Sequence, residues 1–248
     1  MTKETIATAG WSIPRAVADA FPAEGSALER YSARFGGVEI NSTFYRSHRT
    51  STYQRWAATT PPGFRFAVKL PRLITHEARL LDTEGLIATF RTEVEALGEK
   101  LGPLLVQLPP SLVFHPVSHR RFFESLRAIW PDPIACEPRH ASWFESEPDA
   151  LMCDFRISRV AADPARHPKA GEPGGWSGLV YMRLHGSPRI YSSPYENAVL
   201  RKIATQIEAC QHGQSWCVFD NTASGAAASN ALTLRSFLTA DQSERPPC

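Results

Sequence analysis

Six short apolar runs, each ending on a polar or charged residue, constrain this chain more than any other feature: Val38–Asn41, Phe66–Lys69, Leu104–Gln107, Ile134–Glu137, Val180–His185 and Cys217–Asp220. Runs of this length and composition suit strands buried on both faces, the condition of a parallel sheet covered by helices. Between them apolar residues recur at helical spacing. Leu28, Tyr31 and Phe35 follow Ser26, a good N-cap, and Phe122, Leu126, Ile129 and Trp130 follow Ser118. Leu86, Phe90, Val94, Leu97 and Leu101 predict one long helix stopped by Gly102-Pro103, while Leu200, Ile203, Ala204 and Ile207 predict another. Ala227, Ala231, Leu234 and Leu238 close the pattern. With Ile6–Gly10 and Ser158–Ala162 the candidate strands number eight, and right-handed crossovers let such a chain close as an α/β fold, a single TIM-type (β/α)8 barrel. An open doubly wound sheet is the alternative.

One connection breaks the alternation. Between strands 6 and 7, residues 163–178 carry Pro164, Pro168, Gly171, Pro173, Gly174 and Gly175, so an irregular segment replaces the crossover helix. It can serve as a lid over one end of the barrel or as a structural plug built around Trp176, and the plug is the favoured expectation. Residues 1–240 are expected to form one domain and 241–248 a short C-terminal tail.

Composition excludes several classes. Hydrophobic residues at 43% and charged residues at 21% fit neither a disordered chain nor a membrane-spanning one, and no membrane partner is expected. Lys+Arg 27 and Asp+Glu 25 nearly cancel, so the net charge does not require nucleic acid as the partner, and a local basic patch stays open. The five cysteines include no CxxC pair, which argues against a zinc knuckle or a disulfide framework and, with an unremarkable N-terminus, leads to the expectation of a cytoplasmic protein. Asn41-Ser-Thr43 matches a glycosylation acceptor by accident on this view. P-loop, GxGxxG and GxSxG motifs are absent.

In parallel α/β folds ligands meet the carboxyl ends of the strands, so the polar run ends mark one shared mouth. Glu39 and Glu137 can form an acid/base pair; the alternative is that each holds an arginine, Arg72, Arg139 or Arg183, in a buried ion pair. Lys69 can act as a Schiff-base nucleophile, a counter-charge for phosphate, or the salt-bridge partner of Glu39. His76, His140 and His185 could ligate a divalent metal with Glu137 and Asp163, although no specific motif indicates one, and the cofactor is left unknown. Trp11, Tyr45, Trp143 and Tyr195 could stack on a ligand, with packing as the default role.

The blocks Ala9-Gly-Trp11, Val38-Glu-Ile-Asn-Ser-Thr-Phe-Tyr45, Phe64-Arg-Phe-Ala-Val-Lys69, Thr75-His76, Gln107-Leu-Pro-Pro110, Glu137-Pro-Arg-His140 with Trp143, Arg183-Leu-His-Gly186 and Asn221 occur in an order and spacing that resembles the domain-of-unknown-function-72 (DUF72), or YecE-like, family. The resemblance covers nearly the whole chain. It implies a TIM-type barrel with Glu39, Asn41, Lys69, His76, Glu137, Arg139, His140, Arg183, His185 and Asn221 around one end, and implies no established biochemical function. Pro138 and Asp220 depart from the commoner family pattern and bear on substrate choice.

The resulting expectation is an enzyme acting by acid/base hydrolysis or isomerisation on a small anionic or polyhydroxylated ligand, phosphorylated ligands included. Glu137, His185 and Lys69 are the catalytic candidates. Glu39, Asn41, His76, Arg139, His140, Trp143, Arg183 and Asn221 are the binding candidates. A nucleic-acid-binding or metal-dependent nucleic-acid-processing barrel and a non-catalytic metabolite-binding scaffold remain as alternatives.

Overall fold

The computed structural model describes residues 3–210 and 213–244. Parallel strands β1 (Lys3–Thr8), β2 (Gly37–Ile40), β3 (Arg65–Lys69), β4 (Leu101–Gln107) and β5 (Ile134–Glu137) occupy the first five barrel positions. The sixth is split. β6 (Ile157–Arg159) pairs with β5, whereas β7 (Ala161–Asp163) pairs on the other side with β9 (Leu179–Leu184), and Val160 N between them donates to Cys136 O. β10 (Gln214–Phe219) follows β9 and pairs with β1, and a parallel bridge between Ala9 and Glu39 joins β1 to β2. Taking β6 and β7 as one position, eight parallel strands close a TIM-type barrel.

Among the described residues seven α-helices stand outside: α1 (Ala27–Ser32), α2 (Thr50–Thr59), α3 (Glu84–Val94), α4 (Pro116–Ile129), α5 (Ser146–Asp154), α6 (Asn197–Glu208) and α7 (Ala226–Glu244). Ser26 caps α1 through a reciprocal pair of bonds with Glu29. α7 continues through residues 241–244 of the expected tail, and 245–248 lie outside the described residues.

Three local expectations are corrected. The first strand begins and ends earlier than Ile6–Gly10. α4 starts at Pro116, whose missing N–H costs nothing in the first turn, so Ser118 lies inside the helix. The long helix expected to reach Leu101 stops at Val94. A tight turn kinked at Gly98 (φ 57) follows, and Leu101, Gly102 and Pro103 belong to β4. Phe66 lies opposite Leu101 but Val68 lies opposite Leu104, so β4 carries one extra residue, a bulge that accommodates a proline without a ladder N–H.

Strand alternation sorts the core into two layers. Val38, Ile40, Val68, Leu104, Val106 and Ile134 face the helices, while Ala7, Ala67, Leu105, Ala135, Val160, Tyr181 and Val218 fill the barrel. At the amino-terminal end the Trp216 ring stacks on Tyr181, centroids 6.1 Å apart and 6° from parallel. Gly37 makes room for it: a Cβ there would lie 2.6 Å from Thr5 Cγ2 and 2.9 Å from the Trp216 ring. Trp176 packs on the same interior cluster, its N–H bonded to Ile157 O and its carbonyl to Ser158 Oγ, next to the two-residue strand β8 (Gly174–Gly175). The later half of the irregular connection is therefore a plug, as expected, and the mouth lies at the opposite end.

Candidate functional site

Continuing the inward alternation to the carboxyl ends brings Asn41, Lys69, Gln107, Glu137, Arg183 and Asp220 into one mouth. Arg183, fully buried, is its centre. Its Nε and Nη2 donate to the two Glu39 oxygens at 3.1 and 2.8 Å, Nη1 to Glu137 Oε2 at 2.6 Å, and Nη2 also to Asp220 Oδ2 at 2.9 Å. Tyr181, two residues earlier on the same face of β9, donates its hydroxyl to Glu39 Oε2 at 2.8 Å. A guanidinium suits this position because its planar fork reaches several carboxylates at once.

His185 bridges two of those carboxylates, with Nδ1 3.0 Å from Asp220 Oδ2 and Nε2 3.2 Å from Glu137 Oε1. Burial lowers its pKa, but the Glu137 charge and the hydrogen bonds that the ring donates to both carboxylates outweigh this, and the net shift is upward, towards imidazolium. Burial raises the Glu137 carboxyl, yet Arg183, His185 and Arg139 overcome it and hold the group well below the usual carboxylate range. Asp220 is lowered in the same way, burial opposing and Arg183 and His185 prevailing. The Glu39/Glu137 acid/base pair is thus not the arrangement found. Both carboxylates grip one guanidinium, which is the ion-pair alternative.

Lys69 differs. Its Nζ donates to Asn41 Oδ1 at 3.0 Å and lies 4.2 Å from the centroid of the Phe44 ring, and among the described residues no carboxylate comes within 4.0 Å of it. The expected Lys69–Glu39 salt bridge is absent because Arg183 and Tyr181 already occupy both Glu39 oxygens. Burial and then the Arg183 charge bring the lysine down to about 8, against partial compensation from Glu39, Glu137 and Asp220. With His185 in the imidazolium form that its two carboxylate partners favour, Arg183, Arg139 and His185 balance Glu39, Glu137 and Asp220 over the contact network, and the Lys69 ammonium is unmatched.

Beside this network a narrow cleft with a cavity volume of about 20 Å³ opens between Glu137–Arg139, Ala162–Ala170 and His185–Tyr191. Arg139 donates through Nε and Nη2 to Glu137 Oε1 at 3.2 and 3.0 Å and lines the cleft with Tyr191. Arg166, exposed and in no ion pair among the described residues, lines the wall that the first half of the irregular connection contributes. That half is clipped down by Arg159, bonded to Asp149 and Lys169 O, and by Lys169 Nζ on Phe144 O at 2.8 Å. The connection is therefore both plug and wall.

Other expected site residues lie elsewhere. Trp143 is fully buried in the outer layer, its indole N–H on Leu112 O at 2.9 Å and its ring against Phe114 and His119, so it does not reach the mouth. Asn221 lies one residue past the inward Asp220 and ties Ser193 O to Asn230 instead of facing a ligand. His140 caps the turn that follows β5 through Ser142. His76 stays at the rim, edge-on to Phe44 and near enough to Lys69 and Arg139 that, after burial, their charges lower its pKa. Arg72 pairs at the surface with Glu77, Asp163 accepts from Tyr195, and Tyr195 is buried. The set His76, His140, His185, Glu137 and Asp163 does not converge; among the described residues no group of three or more His, Cys, Asp or Glu is arranged to hold a metal ion.

Tyr181, Arg166 and Tyr191 were not anticipated. Tyr181 was legible from its period-two relation to Arg183, whereas Arg166 and Tyr191 lie on loops that carry no periodic signal. Among the described residues no helix is long and apolar enough to cross a membrane.

Comparison with known proteins agrees with this architecture. The family model described as "Protein of unknown function DUF72" matches residues 5–247. The curated UPF0759 protein YecE of Escherichia coli is 34% identical over 84 residues, a stretch covering 34% of this chain and 31% of that relative, so the match spans about a third of its length. The crystal structure of a DUF72 family protein from Thermotoga maritima superposes with a TM-score of 0.78 at 25% identity, covering 96% of this chain and 99% of that one. An apo 3-keto-D-glucoside 4-epimerase, YcjR, from E. coli gives a TM-score of 0.52 at 11% identity over 96% of this chain and 100% of its own, a likeness of fold alone.

Proposed function

The chain belongs to the DUF72 family, and from that premise we propose that its strand-end mouth binds a small anionic, hydroxylated metabolite and transfers protons on it, in an isomerisation or a hydrolysis. One observation carries the reading: the mouth's three carboxylates are fully matched by Arg183, Arg139 and His185, so Lys69 within and Arg166 on the cleft wall leave positive charge for a ligand to neutralise.

Arg139 and Arg166 recognise the anionic group, and apolar Pro138, Pro164 and Ile190 exclude water around the ligand body. His185, with both ring nitrogens engaged by Asp220 and Glu137, adds positive charge to the mouth and holds those carboxylates in place. Lys69, near neutrality in its titration, is the group that both accepts and gives a proton. Glu137 is ionised and saturated by its three partners, so its role in the proposal is to position Arg139 and His185. Free thiols at Cys136, Cys153, Cys210 and Cys217 suit a reducing compartment, and the proposal assigns the protein to the cytoplasm.

The test is calorimetric titration with inorganic phosphate and with panels of phosphorylated sugars and hydroxy acids, on the wild type and on Arg139→Ala. A saturable site is expected, weakened about 10–100-fold in the variant, since a hydrogen-bonded contact to a charged group is worth roughly 1.5–3 kcal/mol. Equal affinity in both proteins, or no anion bound by either, would remove the reading.

A further inference from the structure

We propose that Lys69 forms an imine with the carbonyl carbon of an anionic aldehyde or ketone, which makes the mouth a covalent carbonyl site; the anionic part of the substrate rests on the function proposed above. An oxyanion alone would be served by Arg139 and Arg166, whose forks match carboxylate and phosphate. Lys69 is set apart from them. It is a primary amine buried at a strand end, against one face of Phe44, with a neutral amide as its one hydrogen-bond partner and no carboxylate among the described residues to stabilise its ammonium form. Those are the conditions under which the neutral, nucleophilic amine becomes accessible.

Its neighbours supply the rest. By accepting from Lys69 through Oδ1, Asn41 keeps both Nδ2 protons, which have no partner among the described residues, for the oxygen of the substrate. His76, edge-on to the same Phe44 ring at 5.0 Å, has Nδ1 engaged with Thr75 Oγ1, and its Nε2 has no partner among the described residues. Burial and then the Lys69 and Arg139 charges favour the neutral ring, which is the form that can take up a proton beside the amine.

The step balances without an oxidant or reductant. The Lys69 lone pair forms a C–N bond as the carbonyl π pair moves to oxygen, which takes a proton, giving a carbinolamine. One amine proton has by then passed to that oxygen; the hydroxyl takes up a proton from solvent and leaves as water as the nitrogen lone pair closes the C=N bond, and the nitrogen keeps its last proton in the protonated imine. Once formed, a protonated imine acidifies the adjacent carbon, and this extends the proposed proton transfer to substrates that a free carbonyl would leave unreactive.

The chain has five lysines, Lys3, Lys69, Lys100, Lys169 and Lys202, which makes the test clean. The whole protein is incubated with glyceraldehyde 3-phosphate, or with uncharged glyceraldehyde, in sodium cyanoborohydride, and the reduced adduct is mapped by peptide mass. Lys69 should be labelled about tenfold or more faster than exposed Lys202, and the phosphorylated probe should be preferred. Inorganic phosphate should compete, and the mouth adduct should vanish in Lys69→Arg, which keeps the charge. Labelling of Lys69 no faster than of Lys202, in protein that still binds inorganic phosphate, would overturn the imine and leave the anion site standing. Preferential Lys69 labelling by both probes alike, in protein that binds no phosphate, would support the imine and overturn the anionic class.

Discussion

Arg183 and Lys69 are two buried cations in the same barrel mouth, and the fold treats them in opposite ways. Arg183 meets three carboxylates and a glutamine, with Nη1 at 3.4 Å from Gln107 Oε1. Lys69 meets a neutral amide and a ring face. Burying an ion is tolerable when it is paired and hydrogen-bonded, and costly when it is not. The Arg183 side is thus a self-sufficient strut that fixes β2, β5, β9 and the end of β10 around one guanidinium. The Lys69 side holds a charge that the protein alone does not neutralise, a condition that a bound anion or loss of a proton would relieve.

The largest effect that would break this contrast is on Arg183. Arg183→Met leaves Glu39, Glu137 and Asp220 buried without their common partner, and should cost about 3–5 kcal/mol in urea denaturation. A loss below about 1 kcal/mol would mean that the strut is not structural.

Next comes the pH dependence of the same strut. Glu137 and Asp220 have folded pKa values below their unfolded ones, so their contribution is intact above about pH 4 and fades as the pH falls through the folded values. His185 is raised, so its contribution is complete below about pH 6.5 and fades as the pH rises through the folded value. Chemical denaturation across pH should therefore show that His185→Gln flattens the decline on the neutral-to-alkaline side and reduces the acid limb without abolishing it, because Arg183 still lowers both carboxylates.

The smallest effect is expected on the Lys69 side and sharpens the comparison. Because Lys69 titrates near 8 when folded and near 10.5 otherwise, the unfolded chain binds the extra proton between those values, and this residue makes stability rise with pH there. Lys69→Met should remove that rise and change stability near neutrality by less than about 1 kcal/mol, or increase it, while weakening anion binding at the mouth without abolishing it. A loss as large as that of Arg183→Met would place Lys69 in the strut.

The architecture was legible because it is periodic. Strand-length apolar runs and helical stripes gave the barrel, and each run's last polar residue falls on the inward register that reaches the mouth, as Asn41, Lys69, Gln107, Glu137 and Asp220 all do. Where the period slipped, so did the expectation: the bulge at Gly102-Pro103 continues a strand where these two residues looked like a helix stop. The division of labour inside the mouth was not legible, since which carboxylate meets which cation depends on three-dimensional proximity between strands up to 144 residues apart. Trp143 shows the same limit. A tryptophan six residues after Glu137 looks like a mouth residue, yet the turn after β5 directs it into the helical layer.

The central claim, a desolvated and unmatched lysine at the mouth, is tested most directly by NMR titration of the Lys69 Cε and Nζ resonances in the folded, ligand-free protein, assigned with Lys69→Arg. The account predicts a midpoint near 8; a midpoint near 10.5 would show an ordinary solvated or carboxylate-paired amine and contradict it.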